Sequence, residues 1–133
     1  MRVIWIVFIA LVGVGFASRQ SRAESSEFAS CREGIDEGAL FRTQLAACYE
    51  QELTREDKRL NTEYKRLQDF LSQNDPGAVR PLVAAQRQWL TYREAWCSYE
   101  EKRNAAPGSL VNRAICMTEF TTKQADLIHG QIP

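Results

Sequence analysis

The stretch AAQRQWLTYREAWC, residues 84–97, decides the fold. At 100° per residue, Leu82, Trp89 and Trp96 fall within about 40° of one another, and Val83, Leu90 and Cys97 form the adjoining edge. That is an apolar helical stripe, and Gln86 and Arg93 sit inside it. A guanidinium keeps its charge, so an inward-facing Arg93 requires partners. Gln86 and Glu100 lie one heptad step to either side on the same face. Asn61, on the preceding helix, borders the stripe of Leu60 and Tyr64. The spacing therefore predicts a network of Asn61, Gln86, Arg93 and Glu100 that sets the register of the two helices. The alternative is that Arg93 lays its methylenes over the tryptophans and keeps its head in water.

Working outward, the helix admits Pro81 in its first turn and runs to about Asn104. Ala105-Ala106-Pro107-Gly108 breaks it, and Ser109 is placed to cap another helix carrying Val111, Ile115, Thr118, Thr122 and Ala125 along one side. Upstream, Asn74-Asp75-Pro76-Gly77 is a strong turn signal. Before it, Leu53, Leu60, Tyr64, Leu67 and Leu71 step by seven, four, three and four, which predicts a helix beginning near Gln44 under a Thr43 cap. Thr54-Arg55-Glu56-Asp57 has capping-box spacing, a place for that helix to restart or bend. Residues 24–42, with Gly34 and Gly38, read as an irregular or partly helical lead-in. Sustained strand alternation and internal repeats are absent. The expected fold is all-α: three main helices running up-down-up, in a single domain over residues 24–133.

The first 23 residues read as a signal peptide. Arg2 precedes the apolar run Val3 to Phe16, which is short for a membrane span of about 20 residues, and small residues follow. Ser21-Arg22-Ala23 fits cleavage after Ala23; Ala17 is the other option, and an uncleaved N-terminal anchor is the rival reading. Cys31 lies too far beyond Phe16 for a lipoprotein box. The expected location is periplasmic or secreted, with no stable membrane span after cleavage. From Glu24 onward 14 basic and 17 acidic residues remain, a net charge near −3. Basic and acidic residues interleave, which speaks against a nucleic-acid surface.

Four cysteines in a small exported chain read as two disulfides. Cys97 and Cys116 each lie about seven residues from the break at 104–109, and positions equidistant from a helical hairpin turn face each other. Cys97–Cys116 is the preferred bond, leaving Cys31–Cys48 to pin the lead-in onto the first long helix. Zinc is disfavoured, since CxxC is absent and His129 is the only histidine; no metal or cofactor is expected.

The patterns Leu60-Asn61-x-x-Tyr64-x-x-Leu67, Ala85-Gln86-x-x-Trp89-Leu90-x-Tyr92-Arg93-x-x-x-Cys97, Gly108-Ser109, and Cys116 followed by Phe120-Thr121 and Leu127 resemble the LprI-type domain. These are small exported bacterial domains named for a lysozyme inhibitor. The resemblance covers Cys31 to about Leu127 and implies an all-helical, disulfide-bonded fold in which these polar residues belong to the pattern. One departure stands out: the family usually carries an arginine three residues past the threonine, where this chain has Gln124.

The resemblance implies a protein partner, a lysozyme. Many lysozymes are basic, so an acidic surface would speed encounter. Glu33, Asp36 and Glu37, in an acidic segment where Arg32 is the one base, are the candidate patch. The Ala105–Leu110 loop, with Pro107, Gly108 and Ser109, is the candidate protrusion into the enzyme's cleft. The alternative is an adaptor module of the cell envelope that binds another protein through its helical faces. Trp89 and Trp96 read as core, whereas Tyr92 and Tyr99 share the other face of their helix. An enzyme is disfavoured: no serine or cysteine has a patterned histidine, phosphate loops are missing, and Glu56/Asp57 and Glu100/Glu101 read as solvated helix charges.

Overall fold

The computed structural model describes residues 25–103 and 109–133. The signal-peptide reading, Pro107 and Gly108 fall outside those residues. The described chain is all-helical. α1 spans Ser26–Glu33, α2 Phe41–Asn74, α3 Val79–Arg103 and α4 Ser109–His129, with a 3₁₀ turn at Pro76–Ala78 between α2 and α3.

The lead-in is more regular than its composition suggests. Ser25 caps α1 by accepting from the Phe28 N–H at 3.2 Å, which satisfies one of the orphan donors of the first turn. α2 begins at Phe41, before the expected Thr43 cap, and no side chain caps it. It then runs 34 residues without a break. The capping-box spacing at Thr54 does not restart it, because the Thr54 hydroxyl donates back to the Glu50 carbonyl at 3.0 Å. The helix stops where Asp75-Pro76-Gly77 removes a donor and turns the chain. α3 follows at once, with Pro81 in its first turn where the missing N–H costs little.

α4 is the central element. α2 packs along much of it, α3 packs on it as well, and α2 and α3 touch each other only sparingly. The buried positions of α4 are Val111, Ala114, Thr118, Thr121, Ala125 and Ile128. They alternate steps of three and four, the seam of a coiled coil, and small side chains along it let neighbouring helices approach closely. This corrects the expected stripe in part: Ile115 and Thr122 sit at its edge, half-buried. Leu60 and Leu67 of α2 meet Ala125 and Ile128 of α4 in the main apolar cluster, with Tyr64, Phe70, Leu71, Leu82, Trp89 and Ile132 around it.

The directions of the helices fix which parts share an end. The Thr118 hydroxyl lies 3.0 Å from the Tyr49 carbonyl, and Arg59 donates to both Asp126 and the Thr122 carbonyl. His129 lies against Glu63. Numbers rise together on the two helices, so α2 and α4 run parallel, with α3 antiparallel between them in sequence. α1 runs back along the start of α2: Ser25 donates to Glu52 at 2.8 Å, and Cys31 is bonded to Cys48. The second disulfide joins Cys97 of α3 to Cys116 of α4. Among the described residues no helix is long and apolar enough to cross a membrane.

Candidate functional site

The polar residues of the apolar stripe come together, with partners that the pattern alone did not name. Arg93 is 11% exposed at its side chain. Its Nη1 donates to Asp57 Oδ1 of α2 at 2.9 Å and to Thr121 Oγ1 of α4. Its guanidinium also lies 4.9 Å from the centroid of the Trp89 ring, a cation–π contact. Thr121 is fully buried; its hydroxyl accepts from Arg93 and donates to the Met117 carbonyl at 2.7 Å. Gln86 is buried and accepts from Gln124 Nε2 at 2.9 Å.

This corrects the expected network. Asn61 is exposed and makes no side-chain bond among the described residues. Glu100 turns away and pairs with Arg103 at 2.8 Å, three residues on, which holds that arginine's charge above its ordinary pKa. The physical reason is the central position of α4. The expectation paired α2 directly with α3, whereas α3 leans on α4, so Thr121 and Gln124 take places assigned to α2. Gln124, the departure from the family pattern, is the partner of Gln86. Asp57 fills the role given to Asn61 because it can neutralise the guanidinium.

Glu56 and Asp57 are not both solvated charges, as their spacing suggested. Glu56 is 7% exposed and receives Nε and Nη2 of Arg59 at 2.8 and 2.6 Å. Burial works against the Arg59 charge, and the hydrogen bonds from Arg59 to Glu56 and Asp126 more than offset it, raising its pKa. Glu52 is likewise buried and taken by Ser25 and Arg55. These carboxylates bind helix to helix and helix turn to helix turn. Among the described residues no cluster suits a metal ion.

Because α2 and α3 diverge in front of α4, an open cleft of ≈ 590 Å³ lies between them. Asp57, Leu60, Asn61, Tyr64 and Gln68 line it from α2, and Val83, Gln86, Arg87, Leu90 and Arg93 from α3. Most residues of the Leu60-Asn61-x-x-Tyr64 and Gln86…Arg93 patterns therefore form its walls.

A second surface is aromatic. Trp96, expected in the core, is 41% exposed. A heptad step drifts around a straight helix, and the stripe moves off α4 as α3 descends. Trp96 stacks on Tyr92 at 6.1 Å and touches Tyr99 at 5.5 Å, while Tyr92 meets Phe120 of α4 at 5.9 Å. Trp89, by contrast, packs against the core cluster.

The third surface is the end of the bundle where α1 turns into α2. Glu33, Asp36 and Glu37 are exposed there. Thr118 lies beside Tyr49, so Ser109, nine positions earlier and roughly 13 Å back along the parallel axis, is level with the start of α2. The acidic turn and the first turn of α4 thus share one end of the molecule. Sequence reasoning missed the apolar side chains there: Leu40 is 66% exposed and Leu110 68%, with Phe41 also open to solvent. Their signal was available in the sequence, as apolar residues outside any helical stripe.

Neither a curated protein nor a solved structure matches the chain. A family model described as "Lysozyme inhibitor LprI" matches residues 39–127.

Proposed function

The chain belongs to the LprI lysozyme-inhibitor family, and from that premise we propose that it is an exported, non-enzymatic binding protein that inhibits a lysozyme by blocking its cleft. The observation that carries the reading is the end of the bundle described above. There Leu40, Phe41 and Leu110 project apolar surface beside the carboxylates of Glu33, Asp36 and Glu37. Exposed apolar side chains ringed by charge are the composition of a protein-binding surface, and the negative rim favours a basic partner through faster encounter. Pro107, Gly108 and Ser109, which stand between α3 and α4 in the sequence, are the candidate segment for insertion. Cys31–Cys48 anchors the acidic turn, so little ordering entropy is lost on docking.

The test is lysis of bacterial cell walls by several lysozyme types, with and without the purified, oxidised protein. The expected outcome is near-stoichiometric inhibition of at least one type. Charge reversal at Glu33, Asp36 and Glu37 together should weaken inhibition about tenfold, chiefly at low salt, with an unchanged melting temperature. Substituting Pro107, Gly108 and Ser109 is the separate test of the loop.

The contiguous aromatic face of Tyr92, Trp96 and Tyr99 favours a second reading, an envelope adaptor that binds another protein through this face. Failure to inhibit any lysozyme, together with capture of an envelope protein that Trp96→Ala abolishes, would select it over the first.

A further inference from the structure

The cleft between α2 and α3 has a chemistry that neither reading uses. Its lining carries two guanidinium groups, Arg87 and Arg93, against one carboxylate, Asp57. Arg93 and Asp57 neutralise each other, so Arg87 is the uncompensated charge, an exposed residue whose guanidinium has no ion pair or hydrogen bond among the described residues. The Arg93–Asp57 bond also sets the register of the two antiparallel helices across the cleft. Moving six residues back along α3 moves about six forward along α2, which brings Arg87 level with Glu63 and Tyr64. Glu63 is not available to it, being taken by Arg66 and His129. Tyr64, Asn61 and Gln68 line the cleft on that side, and none of their side chains has a hydrogen-bond partner among the described residues. Leu60, Val83 and Leu90 supply apolar wall.

We propose that this cleft is a binding site for a small carboxylate-bearing ligand, with Arg87 as the fork that receives the carboxylate. Guanidinium matches a carboxylate with two parallel N–H bonds, which gives geometry as well as charge. The hydroxyl of Tyr64 and the amides of Asn61 and Gln68 are placed to bond polar groups next to it. The Leu60, Val83 and Leu90 wall takes the apolar part of the ligand. A few convergent polar groups in an apolar-walled concavity are what small-molecule sites generally have. Arg93 is spent on Asp57 and Thr121, and serves the site by holding α3 at the distance that keeps the cleft open. This proposal is independent of the lysozyme reading, since it lies on a different face of the bundle from the acidic end.

A carboxylate reaches such a site either from a peptide end or from an acidic sugar, and the test separates the two. The side-chain amide signals of Asn61, Gln68 and Gln86 are followed by NMR in the oxidised protein during titration with N-acetyl-L-leucine, N-acetyl-L-leucinamide, D-glucuronate and D-glucose. The expected result is a saturable shift of these signals with at least one of the two acids. Its neutral counterpart should bind about tenfold more weakly, the loss of one charge-assisted hydrogen-bonded pair. Arg87→Gln should weaken the acid by a similar factor and leave the melting temperature unchanged. Binding of N-acetyl-L-leucine identifies a peptide-type carboxylate, and binding of D-glucuronate a sugar acid. The proposal is overturned if neither acid gives a saturable shift, if the neutral analogues bind equally well, or if the shifts fall outside the cleft.

Discussion

Arg93 is the side chain on which three helices meet. It belongs to α3, donates to Asp57 of α2 and Thr121 of α4, and covers Trp89. Removing it takes from the buried Thr121 hydroxyl the one donor it accepts from among the described residues, leaving only its bond to the Met117 carbonyl, and leaves Asp57 without its counter-charge. Asp57 is 42% exposed and can recover hydration, so the loss is smaller than for a fully buried pair. Arg93→Ala should cost about 2 kcal/mol, a fall in melting temperature of about 10 °C by thermal unfolding. An unchanged melting temperature would refute the structural role. The helical wheel placed Arg93 within the stripe and left open whether its head is paired or lies in water. Its partners were not legible, because a wheel says which way a residue faces and nothing about which helix stands there. A second residue-scale expectation concerns acid. The hydrogen bond from His129 to Glu63, with help from Arg66, holds the Glu63 carboxyl below its ordinary value of 4.5. A depressed carboxylate contributes stability above its unfolded value and loses it as pH falls through the folded value. The melting-temperature advantage of the native protein over Glu63→Gln should therefore be present at pH 7 and shrink by about pH 3.

At the scale of elements, the two disulfides have different work. Among the described elements α1 packs on α2 alone, held by Cys31–Cys48, by Ser25 on Glu52 and by the Phe28–Tyr49 ring contact at 4.7 Å. Cys97–Cys116 instead ties α3 to the central helix, with Cys97 fully buried. Cys31→Ser/Cys48→Ser should speed hydrogen exchange in α1 while α4 keeps its protection. Cys97→Ser/Cys116→Ser should lower global stability by about 3 kcal/mol, the chain-entropy value for a loop of this size, read by denaturant unfolding. Equal exchange changes in both variants would contradict this division. The helices themselves were largely legible, since turn chemistry at Asn74–Gly77 and the stripe of α2 mark their bounds. The start of α2 was misjudged, because Thr43 looks like a cap while the helix already begins at Phe41, whose N–H donates to the Gly38 carbonyl of the preceding turn. The helical lead-in was only half legible: its stripe is weak, and α1 is held by α2 more than by its own pattern.

At the scale of the molecule, the three-helix topology was readable from the sequence, and the arrangement of its helices was not. Short links suggest that consecutive helices are neighbours, yet α2 and α3 diverge beyond their turn and α4 binds both. That divergence is what opens the cleft, which a plain hairpin of α2 and α3 would have closed. The acidic end was foreseen as charge but not as apolar surface, since Leu40 and Leu110 sit outside any periodic stripe.

The parallel pairing of α2 with α4 also bears on how the molecule comes to exist. The largest apolar interface joins the first long helix to the last, so every contact in it closes a long loop, a step that is slow in folding. Both disulfides, in contrast, span short distances of 17 and 19 residues. Neither crosses the α2–α4 interface. Correct oxidation is therefore favoured by proximity along the chain, before the tertiary structure exists, and the bonds then shorten the search that the final helix has to complete. A nascent chain ending before α4 would hold its α2 stripe open to water, whatever the state of its cysteines.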